Sequence, residues 1–206
     1  MDISSHDKTA AEIFRVIASQ GPITLYATNS VSNMPIGTIH RHFKEMLETQ
    51  KITVYDTVKS GRKKISYGPT VYGFIYFYGI DSKIRENLGT YFDTWIKKEQ
   101  FCCELRQAGF YAKKIDQNPK ESKKIFGKFV YFYSGVEDQL AHLVKNLNEV
   151  PRDVRWFLGG FLLVRKQEYL KAYEDLLSLM PGLRKDIGNI IRDTAKSHNS
   201  MKKRAR

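Results

Sequence analysis

Side chains built for hydrogen bonding to anionic, acceptor-rich surfaces crowd one short stretch of this chain. In "MPIGTIHRHFKEMLETQKI", residues 34–52, Thr38, His40, Arg41, His42 and Lys44 fall within seven positions. A second group follows closely: Lys59, Arg62, Lys63 and Lys64 make four of the six residues 59–64 basic. A guanidinium is a planar fork that engages two acceptors at once, whereas an ammonium acts as a point charge. Such residues bind polyanions. The whole chain has the same bias, with 34 Lys and Arg against 22 Asp and Glu and a formal net charge of +12. That balance favours nucleic acid or an anionic membrane surface as partner. The charge is spread out: residues 1–80 carry nine basic and six acidic side chains, and residues 81–206 carry 25 and 16.

Bond-making constellations are missing from the sequence. It holds no GxSxG, Walker loop, GxGxxG or HExxH. Acidic pairs such as Glu137-Asp138 and Glu174-Asp175 fit solvated helix faces. His40 and His42 are two apart, so on a helix they point about 160° away from each other and cannot share one ion. No metal site and no cofactor is therefore expected. Cys102 and Cys103 are adjacent, a spacing that strains a disulfide between them, and no CxxC exists. One packed and one partly exposed thiol in a reducing compartment is the expected state. The first ten residues, "MDISSHDKTA", lack the apolar core of a secretory leader. The longest greasy run, "WFLGGFLLV" at 156–164, is too short to span a bilayer. A cytoplasmic protein without membrane contact is expected.

Hydrophobic spacing supplies the elements that must position these residues. Ile13, Phe14, Ile17 and Ala18 mark a first helix over about 8–19, with Asp7 as candidate N-cap. "QGP" breaks it, and a short second helix is expected within 23–30 with Leu25 and Tyr26 turned inward. After the turn "VSNMP", Pro35 suits the first turn of a third helix. There Ile39, Phe43, Met46 and Leu47 share one side, while Thr38, Arg41, Lys44, Glu45 and Glu48 share the other. Residues 52–58 and 65–67 read as two strands joined at "KSGR" around Gly61. Beyond residue 80 the pattern is helical. Ile84, Leu88, Tyr91, Phe92, Trp95 and Ile96 form one stripe, and "QNP" at 117–119 interrupts the chain. "KIFGKFVYFYSG", 124–135, suits either a helix or a buried strand. Val136, Leu140, Leu143, Val144 and Leu147 mark another helix. Further helices are expected after Pro151 and over 183–191, before the basic tail "SHNSMKKRAR".

Helix, helix, helix, basic hairpin is the order of a winged helix-turn-helix. The stretches "ITLYATNSVSNMPIGTIHRHFKEMLETQKI" and "YDTVKSGRKKISYGPTVYGF" resemble the winged-helix domains of prokaryotic transcriptional regulators, especially archaeal ones. The likeness covers about residues 7–78, includes a closing "Y-G-x-T-x-x-G", and departs in the turn "NSVSNMP", which lacks a central glycine. It implies that the third helix enters the DNA major groove with its N-terminal half nearest the bases. Arg41 would then read a base, His40, His42 and Thr38 would reach bases or phosphates, and Lys44 would lie beside them. Lys59, Arg62, Lys63 and Lys64 would form a wing tip on the backbone or in the minor groove.

The expected architecture is mainly α. A winged-helix domain at 1–80 precedes a helical dimerisation or effector domain at 81–198 and a basic disordered tail at 199–206. The aromatic run 67–79 is either a linker helix at a dimer seam or the join between the two domains. The expected protein is a non-enzymatic transcriptional regulator that binds double-stranded DNA as a homodimer and has room for a small-molecule effector. Alternatives are a replication, partition or chromatin-associated DNA-binding protein, and a winged helix used for protein contacts; an enzyme with an unfamiliar helical site is the weakest.

Overall fold

The computed structural model describes residues 4–59, 62–107 and 118–143, with the single position 174. Among these the chain is mainly helical, with one two-stranded antiparallel sheet following three helices. The helices expected after Pro151 and over 183–191, the tail, and the turn at 60–61 lie outside the described residues.

Helix α1, Ser5–Gln20, buries Ala10, Ala11, Ile13, Phe14, Ile17 and Ala18. Its cap is Ser4, whose Oγ accepts from the Asp7 N–H at 3.1 Å. Asp7 lies in the first turn, where a carboxylate suits the positive end of the helix. Gly21, at φ 78°, ends the helix in a conformation that β-carbons resist. Ile23 then exchanges both backbone hydrogen bonds with Tyr67, at 3.1 and 2.8 Å. Thr24 caps helix α2, Leu25–Ser32, by accepting from Ala27. The turn after α2 manages without glycine because Asn33 takes the left-handed conformation at φ 55°, which Asn tolerates best among residues with a β-carbon. Helix α3, Ile36–Glu48, follows, with Pro35 at its N-cap.

Strands β1, Ile52–Lys59, and β2, Arg62–Pro69, pair in register from Ile52 opposite Pro69 to Lys59 opposite Arg62. The "Y-G-x-T-x-x-G" run is a packing device joining this ribbon to the next helix. Gly68 has the Trp95 ring and Tyr55 so near that a Cβ would sit 2.5 Å from each. The Thr70 hydroxyl donates to the Gln50 carbonyl at 2.7 Å and accepts from the Gly73 N–H at 2.8 Å. Thr70 thereby caps helix α4, Val71–Ile80. Gly73 lies directly against the Lys51 carbonyl.

Helix α4 is apolar nearly all round, and such a helix must be buried on most sides. It packs against α1, against α5 (Ser82–Trp95), against α6 (Glu99–Gln107) and against α7 (Pro119–Leu143). Phe74 touches Phe14, Tyr91, Phe101 and Phe126. Helix α4 therefore lies inside the core, between α1 and the helices that follow it. One apolar cluster extends from Ala10 to Val136, on both sides of residue 80. Trp95 ties α5 to α1, donating from Nε1 to the Ala18 carbonyl at 2.7 Å. The 124–135 run is helical: α7 begins at Pro119, capped by Asn118, and continues through Leu143. Cys102 is half-buried and donates to the Ile96 carbonyl, while Cys103 is exposed. Among the described residues, no helix is long and apolar enough to cross a membrane.

Candidate nucleic-acid interface

The outer face of α3 is held outward by its inner one. Ile39, Phe43 and Met46 are buried at helical spacing, and Phe43 meets Tyr67 of β2 edge-on at 4.9 Å. That anchoring leaves His40, Arg41 and Lys44 exposed and Thr38 half-exposed. The Lys44 side chain is 71% exposed and reaches Glu48 only at 4.0 Å, so its charge remains available to a partner.

The start of α3 is open as well. Pro35 provides no side-chain cap, and among the described residues nothing lies near the Cβ position of Gly37. The first backbone N–H groups of a helix have no partner within the helix, and they attract anions together with the helix dipole. His40, one turn on, lines an open depression with Thr24, Leu25, Tyr26, Ile65 and Tyr67, where α2, α3 and β2 meet. Tyr26 and Ile65 stand on its rim, 76% and 56% exposed. The expected inward turn of Tyr26 does not occur. Thr28, fully buried, and half-buried Leu25 take the inner side of this eight-residue helix, so Tyr26 must face out. Hydrophobicity alone sent this exposed residue to the core.

The expected wing residues lie on paired backbone. Thr57 is opposite Lys64, Val58 opposite Lys63, and Lys59 opposite Arg62. Arg62 is five residues along β2 from Tyr67, so the basic end of the ribbon lies about 17 Å from the point where Ile23 joins it. The four cationic residues of this stretch, Lys59, Arg62, Lys63 and Lys64, thus share one end of the ribbon.

His42 departs from expectation. It is 1% exposed and cannot reach a base or a phosphate. The reason is angular: residues 39, 42, 43 and 46 follow the i, i+3, i+4, i+7 pattern of one helix face. His42 therefore lies in the middle of the buried side, beneath α1, with its ring centroid 4.5 Å from that of His6. Neither of its ring nitrogens has a hydrogen-bond partner among the described residues. Burial, with His6 and Arg41 nearby, pushes its pKa below the usual imidazole value. Glu45, placed on the polar side by sequence, turns toward α1 and meets His6 Nε2 at 2.7 Å. Close by, Lys51 is buried with its ammonium 3.6 Å over the Tyr76 ring. Burial pushes its pKa down, against the pull of Glu45 and Asp7.

No protein-family model, curated protein or solved structure matches this chain. The site is thus defined by its own geometry: an exposed Arg, His and Lys face on an anchored helix, an open helix start, and an adjacent basic ribbon.

Proposed function

We propose that the chain is a DNA-binding transcriptional regulator of winged-helix type. It lays α3 in the major groove, with Arg41 as the base reader and Thr38, His40 and Lys44 beside it. The β1–β2 ribbon carries Lys59, Arg62, Lys63 and Lys64 to the flanking backbone or minor groove. The observation that supports this most is the exposure of Arg41 on the free side of a helix whose opposite side is packed and whose start is open. A guanidinium so held offers its fork to guanine at two points, a pairing worth about 1–3 kcal/mol of discrimination. One recognition helix reads few base pairs, so action as a homodimer on two half-sites follows from the need for specificity.

The test is binding of the full chain to its own upstream DNA and to a random duplex across a salt series, with wild type and Arg41→Ala. Sequence-specific reading predicts tighter binding to the upstream DNA. Arg41→Ala then costs about 5- to 150-fold there and little on the random duplex. Equal binding of both duplexes and an unchanged mutant would instead favour non-specific packaging or partition, a use that the 25 basic residues in 81–206 would also serve. Absence of binding at low salt would point to a protein partner for α3.

A further inference from the structure

We propose that His6, His42 and Glu45 form a site for a divalent transition metal of the zinc class, clipping the first turn of α1 to α3. This does not rest on the DNA-binding proposal.

His6 comes from the start of α1, whose position Ser4 sets by capping. His42 and Glu45 are three apart on α3 and so share a helix face. One donor atom from each residue can be chosen so that all three lie within 4.8 Å of one another. Tetrahedral zinc, with bonds of about 2.0–2.1 Å, separates its donor atoms by about 3.4 Å. The His6–Glu45 pair, now 2.7 Å apart, has to open slightly, and the widest pair has to close. His6 and Glu45 have the room for it, their side chains being 41% and 42% exposed.

His42 distinguishes this from an ordinary ion pair. A His6–Glu45 contact satisfies those two groups and leaves His42 buried with neither nitrogen hydrogen-bonded. Buried polar atoms are almost always partnered, and a metal ion would engage all three side chains together. The donor set decides the class of ion. Two imidazoles and one carboxylate suit zinc, or cobalt and nickel in its place; magnesium and calcium prefer oxygen throughout. Three protein ligands would leave a fourth position for water or another small ligand. Asp7, which takes the Tyr76 hydroxyl at 3.3 Å, adds a second anion nearby, while Lys51 and Arg41 are the neighbouring cations.

The experiment uses the full chain stripped by chelator, then titrated with Zn²⁺ alone and with Co²⁺ as a visible probe. Binding is read by calorimetry, by Co²⁺ ligand-field absorption and by the rise in melting temperature. The variants are His6→Ala and Glu45→Gln, both at half-exposed positions that the fold tolerates, with circular dichroism as the check. His40→Ala and the double change Cys102→Ser with Cys103→Ser serve as controls for stray donors. The expected result is about one ion per chain in the wild type and in both controls. Affinity falls at least about tenfold in His6→Ala and in Glu45→Gln, with their metal-free folds intact. No uptake at micromolar zinc, or uptake unchanged in His6→Ala and Glu45→Gln, overturns the proposal. Arg41→Ala, which tests DNA reading, keeps one ion per chain and, by removing a neighbouring cation, does not weaken the zinc titration.

Discussion

Changing Gly73 to alanine sets two physical effects against each other and gives them opposite signs. Gly73 lies within α4, where alanine is favoured over glycine by up to about 1 kcal/mol on helix propensity alone. Propensity therefore predicts a more stable protein. Packing predicts the reverse. A Cβ at this position overlaps the Lys51 carbonyl and comes within 2.7 Å of the Phe14 ring. Neither neighbour can yield cheaply. The Lys51 carbonyl is backbone and accepts from the Thr70 N–H at 3.2 Å, and Phe14 is fully buried. Forcing a methyl group into such a place costs about 1–3 kcal/mol, and a backbone obstacle puts this case at the upper end. The net loss is then about 1–2 kcal/mol, or roughly 2–8 °C in Tm for a chain of this size. Gly127→Ala supplies the control. Gly127 is inside α7 with nothing within 4 Å of its Cβ position among the described residues, so propensity acts alone and Tm rises by about 2–4 °C. Thermal unfolding followed by far-UV circular dichroism reads both. If Gly73→Ala melts at or above the wild type while Gly127→Ala gains stability, the close approach of α4 to the start of β1 is wrong.

Trp95→Phe tests a carbonyl that helix geometry orphans. The Ala18 carbonyl would accept from the N–H of residue 22, but Pro22 has none, and Trp95 Nε1–H donates to it instead. Its loss should lower stability by about 1–3 kcal/mol in a urea titration; an unchanged midpoint would sink the assignment. At alkaline pH the sign is set by Tyr55, Tyr76, Tyr78 and Tyr91, whose pKa values burial pushes above the usual 10. Their contribution is complete below pH 10 and is lost as pH rises past it, because only the unfolded chain then releases the protons. Stability should fall by up to about 1.4 kcal/mol per pH unit for each of them, with tyrosinate absorbance appearing together with unfolding rather than before it. Replacing Lys59, Arg62, Lys63 and Lys64 by alanine should flatten the plot of log binding constant against log salt by as much as about 3.6, that is about 0.9 for each phosphate contact. No change in slope would remove the ribbon from the DNA interface.

Local patterns made much of this molecule legible. The apolar spacing of Ile13, Phe14, Ile17 and Ala18, and of Ile84, Leu88, Tyr91, Phe92 and Trp95, belongs to helices that bury those faces. The strands around the basic turn also stand where alternation put them. Such features depend on residues three or four apart, or two apart, and a sequence shows those distances directly. The outward display of His40, Arg41 and Lys44 follows from the same arithmetic. Applied to residues 39, 42, 43 and 46, it would also have placed His42 inside; the polarity of the imidazole argued for the wrong face. Tyr26 misled in the other direction, because an eight-residue helix has too few turns to define a stripe.

Other features exist only once distant segments meet. Nothing local tells that Asn33 will take the place of a turn glycine, or that Gly68 and Gly73 are small because Trp95 and the Lys51 carbonyl come so close. The ambiguous run at 124–135 is helical because α4 presents it with an apolar helix to pack against. The His6–His42–Glu45 cluster is the clearest case. Its first member is 36 residues from its second, and a metal pair looked for along one helix cannot include it. Composition and spacing determine which face of each helix is greasy and which is charged. Only tertiary packing decides which charged or polar groups are brought together, because that depends on the angle and depth at which α1 crosses α3.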